Sequence, residues 1–269
     1  MNNKKAIGIF DSGMGGLTVV KEVIANLSNE KIVYFGDTAR VPYGPKSKET
    51  VIRFSIENIL FLLNHNVKLI IVACNTASSV ALADIEKNFK VPIMGVIEPG
   101  VKEALRISKN KRIGIIGTKT TIKSMAYERQ LKKLDPKIKV FSQACPLFVS
   151  LVEEGWLKTK ITRQIVMEYL LPLKKKNIDT IILGCTHYPL LKPVIQEVLG
   201  PKVKLIDSAR QVADEAKQIL ETQHLLTGVK KSKQKNISFY VSDEPDNFAK
   251  QGEKFLGFAL NKVRKVSNV

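Results

Sequence analysis

Two cysteines, Cys74 and Cys185, occupy matching places in the sequence and have the chemistry of a proton-transfer pair. Each follows a short apolar run and precedes polar side chains, as in Leu69 to Thr76 and Thr180 to His187. This position predicts a thiol beyond the carboxyl end of a buried strand, where ligands bind in open α/β sheets. Because a helix N-terminus carries positive potential, we expect a following helix to lower the pKa of each thiol. Such a thiol can act as a base.

The remaining cysteine, Cys145, stands before Pro146 without polar neighbours and is interpreted as a small buried core residue. An isolated cysteine at the end of a strand would be interpreted in the same way. Duplication at matching positions, each followed by two polar side chains, favours the catalytic interpretation for Cys74 and Cys185. The odd number of cysteines, spread over separate apolar segments, predicts free thiols rather than a disulfide framework.

A glycine-rich loop over residues 11–16 follows the first predicted strand. It is similar to a dinucleotide-binding loop, but Thr18 stands where a further glycine is required, so nucleotide binding is not predicted. The glycines let backbone N–H groups approach an anion such as a carboxylate. Asp11 is equally consistent with a helix N-cap. In the second half of the chain the corresponding residues Thr118 and Thr121 could bind another carboxylate or simply begin a helix.

His187 belongs to a polar motif, two residues after Cys185. With Cys74 these side chains could supply three metal ligands. No paired ligand clamp accompanies them, and thiols in two separate halves of the chain suit a substrate better than a tetrahedral ion. We therefore predict no metal site. Glu153 and its neighbour Glu154 are interpreted as a solvated helix end.

Short β-branched runs alternate with longer amphipathic stretches along the chain, which is typical of βαβ units and a parallel sheet. We therefore predict an α/β fold. The clearest helix is Thr50–Asn64, whose apolar positions recur at near-helical spacing. The predicted strands are Ala6–Phe10, Ile32–Phe35, Leu69–Ala73, Ile93–Ile97, Arg112–Ile116, Val140–Ser142, Thr180–Leu183, Lys204–Ile206 and Ser238–Val241.

The order of four strands is duplicated along the chain. Ile7 to Ile9 recurs as Ile113 to Ile115, and the Cys74 motif recurs at Cys185. The offset in residue number between a segment and its repeat is nearly the same in both cases. This predicts two similar lobes with mainly parallel sheets flanked by helices, related by a pseudo-two-fold axis, with the active site between them. We expect residues 1–98 and 208–269 to form the first lobe and residues 99–207 to form the second.

Composition narrows the classes of function. Hydrophobic residues at 44% and charged residues at 25% are typical of a globular protein. Apolar runs are far shorter than the roughly 20 residues of a membrane span, and no signal-peptide core forms, so we expect a cytoplasmic protein. The net charge of +18 is interpreted mainly as a lysine-rich surface. Aromatic residues are not interleaved among the lysines, so any nucleic-acid binding would be non-specific.

The polar motifs resemble those of bacterial glutamate racemases, in order and along nearly the whole chain, without a departure at the motif positions. The matching segments are Asp11-Ser12-Gly13, Gly15-Gly16-Leu17-Thr18, Gly36-Asp37-Thr38, Pro42-Tyr43-Gly44-Pro45, Ala73-Cys74-Asn75-Thr76-Ala77, Gly117-Thr118 with Thr121, and Leu183-Gly184-Cys185-Thr186-His187-Tyr188-Pro189.

The resemblance implies a cofactor-independent racemase in which Cys74 takes the proton from D-glutamate and Cys185 takes it from L-glutamate. Asp11 and His187 would assist them, while Asp37 and Glu153 would support the site. The substrate would be held by Ser12, Pro42, Tyr43, Gly44, Asn75, Thr76, Thr118, Thr121 and Thr186.

The resemblance further implies a homodimer that supplies D-glutamate for peptidoglycan synthesis. The chain lacks the long N-terminal extension of some members, so regulation by a cell-wall precursor is not expected. Two other hypotheses stay open here. An aspartate racemase of the same superfamily would share both cysteines. A basic nucleic-acid-associated protein would explain the net charge but not the paired thiols.

Overall fold

The computed structural model describes residues 3–228, 237–260 and 262–266. Its strands are β1 (Ala6–Asp11), β2 (Ile32–Gly36), β3 (Val67–Val72), β4 (Ile93–Gly95), β5 (Arg112–Gly117), β6 (Lys139–Ala144), β7 (Thr180–Gly184), β8 (Lys204–Ile206), β9 (Ile237–Val241) and β10 (Val263–Lys265). Its α-helices are α1 (Leu17–Asn26), α2 (Lys48–Leu63), α3 (Asn75–Val80), α4 (Leu82–Asn88), α5 (Ile97–Ile107), α6 (Lys119–Lys123), α7 (Ala126–Leu134), α8 (Leu147–Glu153), α9 (Lys160–Lys174), α10 (Lys192–Leu199), α11 (Ala209–Thr222) and α12 (Pro245–Leu256).

The strands of the described ranges form two parallel sheets. One has the order β10-β9-β2-β1-β3-β4, and the other has the order β6-β5-β7-β8. The predicted α/β fold is thus confirmed, and so is the duplication, because β2-β1-β3-β4 repeats the order of β6-β5-β7-β8. The strands β1, β2, β3 and β7 are buried along their whole length. Their valine and isoleucine side chains pack well between flanking helices, as is typical of parallel sheets.

Three local expectations differ from the structure. The predicted strand Ile93–Ile97 ends at Gly95, because Ile97 already begins α5. Strand β10 was not predicted, since its Val-Arg-Lys sequence has no apolar run. Cys185 is followed by a turn and a 3-10 helix over Tyr188–Leu191, not directly by an α-helix. The predicted helix Thr50–Asn64 is confirmed as α2, which begins slightly earlier because Ser47 caps it.

The carboxyl ends of the central strands point to the functional region. Asp11 ends β1, and Cys74 follows shortly after the end of β3. In the other sheet, Thr118 directly follows β5 and Cys185 directly follows β7. The loops after parallel strands gather at one edge of a sheet, so each sheet contributes its own set of polar side chains. Among the described residues, no helix is long and apolar enough to cross a membrane.

A buried ion pair holds the amino end of β3. The side chains of Lys68 and Glu30 are 2% and 1% exposed, and Lys68 Nζ lies 2.6 Å from Glu30 Oε2. Lys68 also donates to the backbone oxygens of Asn3 and Leu225, at 2.9 and 2.7 Å. The backbone N–H of Thr227 donates to Glu30 Oε1 at 2.8 Å. This network fastens the segment after α11 to the first sheet.

Replacing Lys68 by methionine leaves the Glu30 carboxylate buried without its cation. Because an unpaired buried charge is costly, we expect the free energy of unfolding to fall by about 3–5 kcal/mol. Lys102→Met is the control, since it removes an exposed lysine paired with Glu98 and is expected to change stability by about 0.5 kcal/mol or less. Urea denaturation measures both variants. Equal losses in the two variants would contradict the prediction.

Candidate active site

The two cysteines come from corresponding strands of the two sheets. Cys74 follows β3, which pairs with β1 in one sheet, and Cys185 follows β7, which pairs with β5 in the other. The exposed fractions of Cys74 and Cys185 are 5% and 8%. Both line one small cavity, so two thiols that are distant in sequence share a single enclosed space.

Most of the side chains singled out from the sequence line that cavity. Its walls are formed by Ser12, Val41, Pro42, Tyr43, Gly44, Cys74, Asn75, Thr76, Thr118, Val149, Cys185, Thr186 and His187. Val41 and Val149 were not predicted, because an apolar side chain carries no chemical signature in a sequence. Asp11, Asp37, Thr121 and Glu153 stand behind the lining residues and contact them.

The cavity is small. Its volume is about 20 Å³, which accommodates roughly one water molecule. An amino acid such as glutamate is several times larger, so binding of such a ligand requires the walls to move apart. When the walls close, ligand and thiols are removed from bulk water, which strengthens electrostatic interactions inside.

Cys74 sits in surroundings that favour its protonated form. Burial raises the pKa of this thiol to about 12, and the neighbouring Asp11 carboxylate acts in the same direction. The thiol donates to Ser12 Oγ at 3.8 Å, and the backbone N–H of Ala77 donates to its sulfur at 3.5 Å. The expected lowering of the pKa by a helix is therefore wrong for Cys74, because α3 is short and desolvation outweighs it.

Asp11 is fully buried behind Cys74. Its carboxylate accepts hydrogen bonds from the backbone N–H of Gly13 at 3.0 Å and from the Thr186 hydroxyl at 3.3 Å. Burial raises the pKa of Asp11 above its ordinary value, while the charge of His187 opposes that rise. Asp11 does not cap α1, which begins after Gly16 without a side-chain cap. It contacts residues from both halves of the chain instead.

His187 links Cys185 to Glu153. Its Nδ1 lies 3.8 Å from Cys185 Sγ, and its Nε2 lies 3.1 Å from Glu153 Oε1. Burial opposes the charged imidazolium, but Cys185 and Glu153 outweigh that effect and raise the pKa of His187 to about 10. The imidazolium is thus the form present at neutral pH. Glu153, interpreted from sequence as a solvated helix end, contacts this imidazolium directly.

Three threonine hydroxyls meet at one wall of the cavity. Thr76 Oγ1 lies 2.9 Å from Thr118 Oγ1 and 3.3 Å from Thr121 Oγ1, and the last two are 3.0 Å apart. Thr118 also caps α6 through the backbone N–H of Thr121. Hydroxyl groups can reorient to donate to an anion, so this cluster can present several donors to a carboxylate.

Tyr43 is held from behind by a buried carboxylate. Its hydroxyl donates to Asp37, which also accepts one bifurcated hydrogen bond from Arg40 Nε–H, at 2.9 Å to Oδ1 and 2.7 Å to Oδ2. Ser242, just beyond β9, donates to the same carboxylate at 3.0 Å. Asn58 donates to the Tyr43 hydroxyl at 3.1 Å. Asp37 therefore fixes the loop that forms one wall and does not itself line the cavity.

Two glycines allow the two halves of the chain to touch. A Cβ atom at Gly15 would lie 2.2 Å from Thr186 Oγ1 and 2.6 Å from His187 Nδ1. A Cβ atom at Gly44 would lie 2.7 Å from the Thr118 Cβ. Approach of backbone N–H groups to an anion stays the prediction for the glycine loop. At Gly15 the structure shows a further reason for glycine, since any Cβ atom would collide with Thr186 and His187.

A metal ion is the alternative occupant that the cysteines and the histidine suggest. Across the ranges that the structure describes, no three His, Cys, Asp or Glu side chains are arranged to hold a metal ion. The polar groups around the cavity are instead thiols, hydroxyls, one amide and one imidazolium. Such a set can bind carboxylates and move protons.

Comparisons of sequence agree with this geometry. The chain matches the family model described as Asp/Glu/Hydantoin racemase over residues 7–216. It is 49% identical over 263 residues to a glutamate racemase of Geobacter metallireducens, which covers 98% of this chain and 97% of that protein. It is 47% identical over 268 residues to a glutamate racemase of Neisseria meningitidis, covering 99% and 98%.

Solved structures give the same result. A glutamate racemase isoform from Bacillus anthracis superposes with a TM-score of 0.92 at 41% identity, covering 98% of both chains. A glutamate racemase from Francisella tularensis in complex with D-glutamate has a TM-score of 0.92 at 40% identity, again covering 98% of both. An aspartate racemase homologue from Pyrococcus horikoshii, at 21% identity and a TM-score of 0.57, shares the fold alone. The chain therefore belongs to the Asp/Glu/Hydantoin racemase family and stands among its glutamate racemases.

Proposed function

We propose that this protein interconverts L- and D-glutamate by a two-base mechanism in which Cys74 and Cys185 act on opposite faces of the α-carbon. The observation that carries this proposal is that both thiols enter one closed cavity from corresponding strands of two sheets. Inversion requires a base that removes the proton on one face and an acid that returns a proton on the other. Two thiols can exchange these roles after each turnover, and no cofactor is needed.

The surroundings of the thiols define their starting roles. The raised pKa of Cys74 makes it the proton donor. The His187 imidazolium beside Cys185 supplies a positive charge that suits a thiolate there. In the proposed mechanism Cys185 would therefore act as base and Cys74 as acid on L-glutamate. After inversion the two protonation states are reversed, which prepares the site for D-glutamate.

The polar wall residues would hold the substrate. The α-proton of an amino acid is very weakly acidic, so fixed donors must stabilise the charge that develops in the transition state. The hydroxyls of Thr76 and Thr118, with Thr121 hydrogen-bonded behind them, would bind one carboxylate. Ser12, Asn75 and Thr186 line the space between the thiols. Pro42, Tyr43 and Gly44 would close the wall around the substrate.

Widening of the cavity would be a motion between two lobes. We propose the division 1–98 with 208–269 and 99–207. Helix α5 packs on β7 and β8, whereas α11 packs mainly on α1 and also contacts β3 and α5, which supports crossings near residues 98 and 207. The contacts of Gly15 with His187 and of Gly44 with Thr118 would then break when the lobes separate.

We also propose that the protein works as a homodimer in the cytoplasm and supplies D-glutamate for peptidoglycan synthesis. Exposed apolar side chains on and near α8 and α9, among them Leu147, Trp156 and Ile161, support a subunit interface. Three free cysteines are consistent with a reducing compartment. Analytical ultracentrifugation tests the dimer. Non-specific nucleic-acid binding stays a prediction from the net charge.

Single replacement of Cys74 or Cys185 by alanine removes one proton donor or acceptor and leaves the opposite one. We expect racemisation, followed by circular dichroism, to fall at least about a hundredfold in both variants. In deuterated water, Cys74→Ala would exchange only the α-proton of L-glutamate, and Cys185→Ala only that of D-glutamate. Cys145→Ala is the control, because Cys145 is a buried cysteine outside the cavity. Near wild-type racemisation in either active-site variant, or exchange of the same enantiomer by both, would contradict the assignment of the two thiols to opposite faces.

Replacement of Glu153 by glutamine removes a carboxylate that favours the imidazolium of His187. The pKa of His187 should then fall from about 10. The alkaline limb of the pH profile for L-glutamate is expected to move down by roughly one unit, since a neighbouring opposite charge shifts a pKa by about that much. Glu154→Gln is the matched control, because Glu154 is adjacent but exposed. Equal alkaline limbs in both variants would exclude this role of Glu153.

A further inference from the structure

Tyr127 lies in the first turn of α7, and its side chain is buried. One edge of its ring covers Gly184, the last residue of β7 and the one directly before Cys185. A Cβ atom at Gly184 would lie 3.2 Å from Tyr127 Cε2 and 2.7 Å from the backbone oxygen of Ile116. Glycine at this position therefore lets the aromatic ring rest on the backbone that carries Cys185.

The other end of the same side chain reaches the other half of the chain. The Asn75 side-chain amide donates to the Tyr127 hydroxyl at 2.7 Å. Asn75 directly follows Cys74 and is the first residue of α3. A tyrosine hydroxyl that accepts one hydrogen bond still has its own hydrogen to donate. Burial raises the pKa of this hydroxyl, so the hydroxyl keeps its hydrogen.

One rigid side chain thus touches the residue before Cys185 and the residue after Cys74. A tyrosine has few rotatable bonds, and this one is fixed by packing at the ring and by a hydrogen bond at its tip. We propose that Tyr127 is a positioning residue that sets the separation of the two thiols in the closed site. This inference rests on the proposed function, because separation matters only if both thiols act on one carbon.

The separation of the two thiols affects the second half of each turnover, in which a proton is delivered to the opposite face. After Cys185 has taken the proton of L-glutamate, Cys74 must deliver its own proton to the opposite face before the first proton returns. A displacement of about 1 Å can cost on the order of a hundredfold in rate. When Cys74 is misplaced, the deprotonated substrate persists longer, so the proton held by Cys185 has more time to be replaced by solvent deuterium before Cys185 reprotonates the original face. Exchange of the α-proton without inversion should therefore increase relative to inversion.

The test is Tyr127→Phe, which keeps the ring on Gly184 and removes only the hydroxyl. We expect kcat to fall by about tenfold or more in both directions, while KM changes by about twofold or less, because substrate contacts are retained. In deuterated water, proton NMR measures α-proton loss from L-glutamate and circular dichroism measures inversion. The ratio of exchange to inversion should rise above that of the wild type.

The matched control is Tyr188→Phe, since Tyr188 is also buried and its hydroxyl donates to the backbone oxygen of Cys145 at 2.9 Å. It should lose a comparable amount of thermal stability and keep the wild-type ratio of exchange to inversion. The proposal is overturned if Tyr127→Phe matches Tyr188→Phe in kcat and in that ratio, or if its defect is confined to KM.

A second variant, Asn75→Ala, removes the hydrogen-bond partner of the hydroxyl and tests the proposal if Tyr127→Phe does not fold. It should raise the same ratio, and an unchanged ratio would overturn the proposal. Failure of the proposed function is distinguishable, because it would appear in the wild type as absence of glutamate racemisation. Failure of this inference alone leaves the wild type active and the Tyr127→Phe ratio unchanged.

Discussion

Enclosure of two thiols in one water-poor cavity is the constraint on which the rest of the structure depends. Burial makes a thiolate costly, as the pKa of about 12 at Cys74 shows, so the site must stabilise charge with its own groups. The His187 imidazolium and Glu153 do so beside Cys185, while Asp11 favours the thiol form of Cys74. The closed cavity also explains the close contact at Gly15, where any larger residue would hold the two halves apart.

The duplicated sheet order matches the symmetry that the proposed two-base mechanism requires. A carbon that is inverted needs an equivalent group on each face, and a repeated βαβ pattern places one cysteine after β3 and one after β7. The surroundings of these cysteines are not duplicated. An aspartate stands near one thiol and a histidine near the other, and in the proposed mechanism this difference gives the two directions of the reaction different starting states. Residues that bridge the halves, such as Thr76 and Tyr127, convert two separate strand ends into one site.

The sequence is sufficient to predict most strands, their duplication and nearly all polar residues of the cavity wall, because apolar periodicity and polar strand ends are local signals. The pKa of Cys74 was predicted in the wrong direction, since desolvation arises from residues of both halves packing together. Tyr127 gave no signal in the sequence, and Gly184 belonged to the second cysteine motif without any indication of what packs on it. An aromatic residue in a helix and a glycine in a strand acquire meaning only when the fold brings them into contact. The short edge strand β10 likewise has no apolar pattern of its own and is defined by its pairing with β9.

The central claim, that protons are removed and returned by different groups, is tested most directly by the fate of the α-proton in a single conversion. L-glutamate is incubated with the wild-type enzyme in deuterated water, and both enantiomers are separated at low conversion and analysed by mass spectrometry. The two-thiol mechanism predicts that D-glutamate carries deuterium at its α-carbon while the remaining L-glutamate keeps its proton. Product that retains the original proton, or equal deuterium in both enantiomers from the start, would show that one base serves both faces.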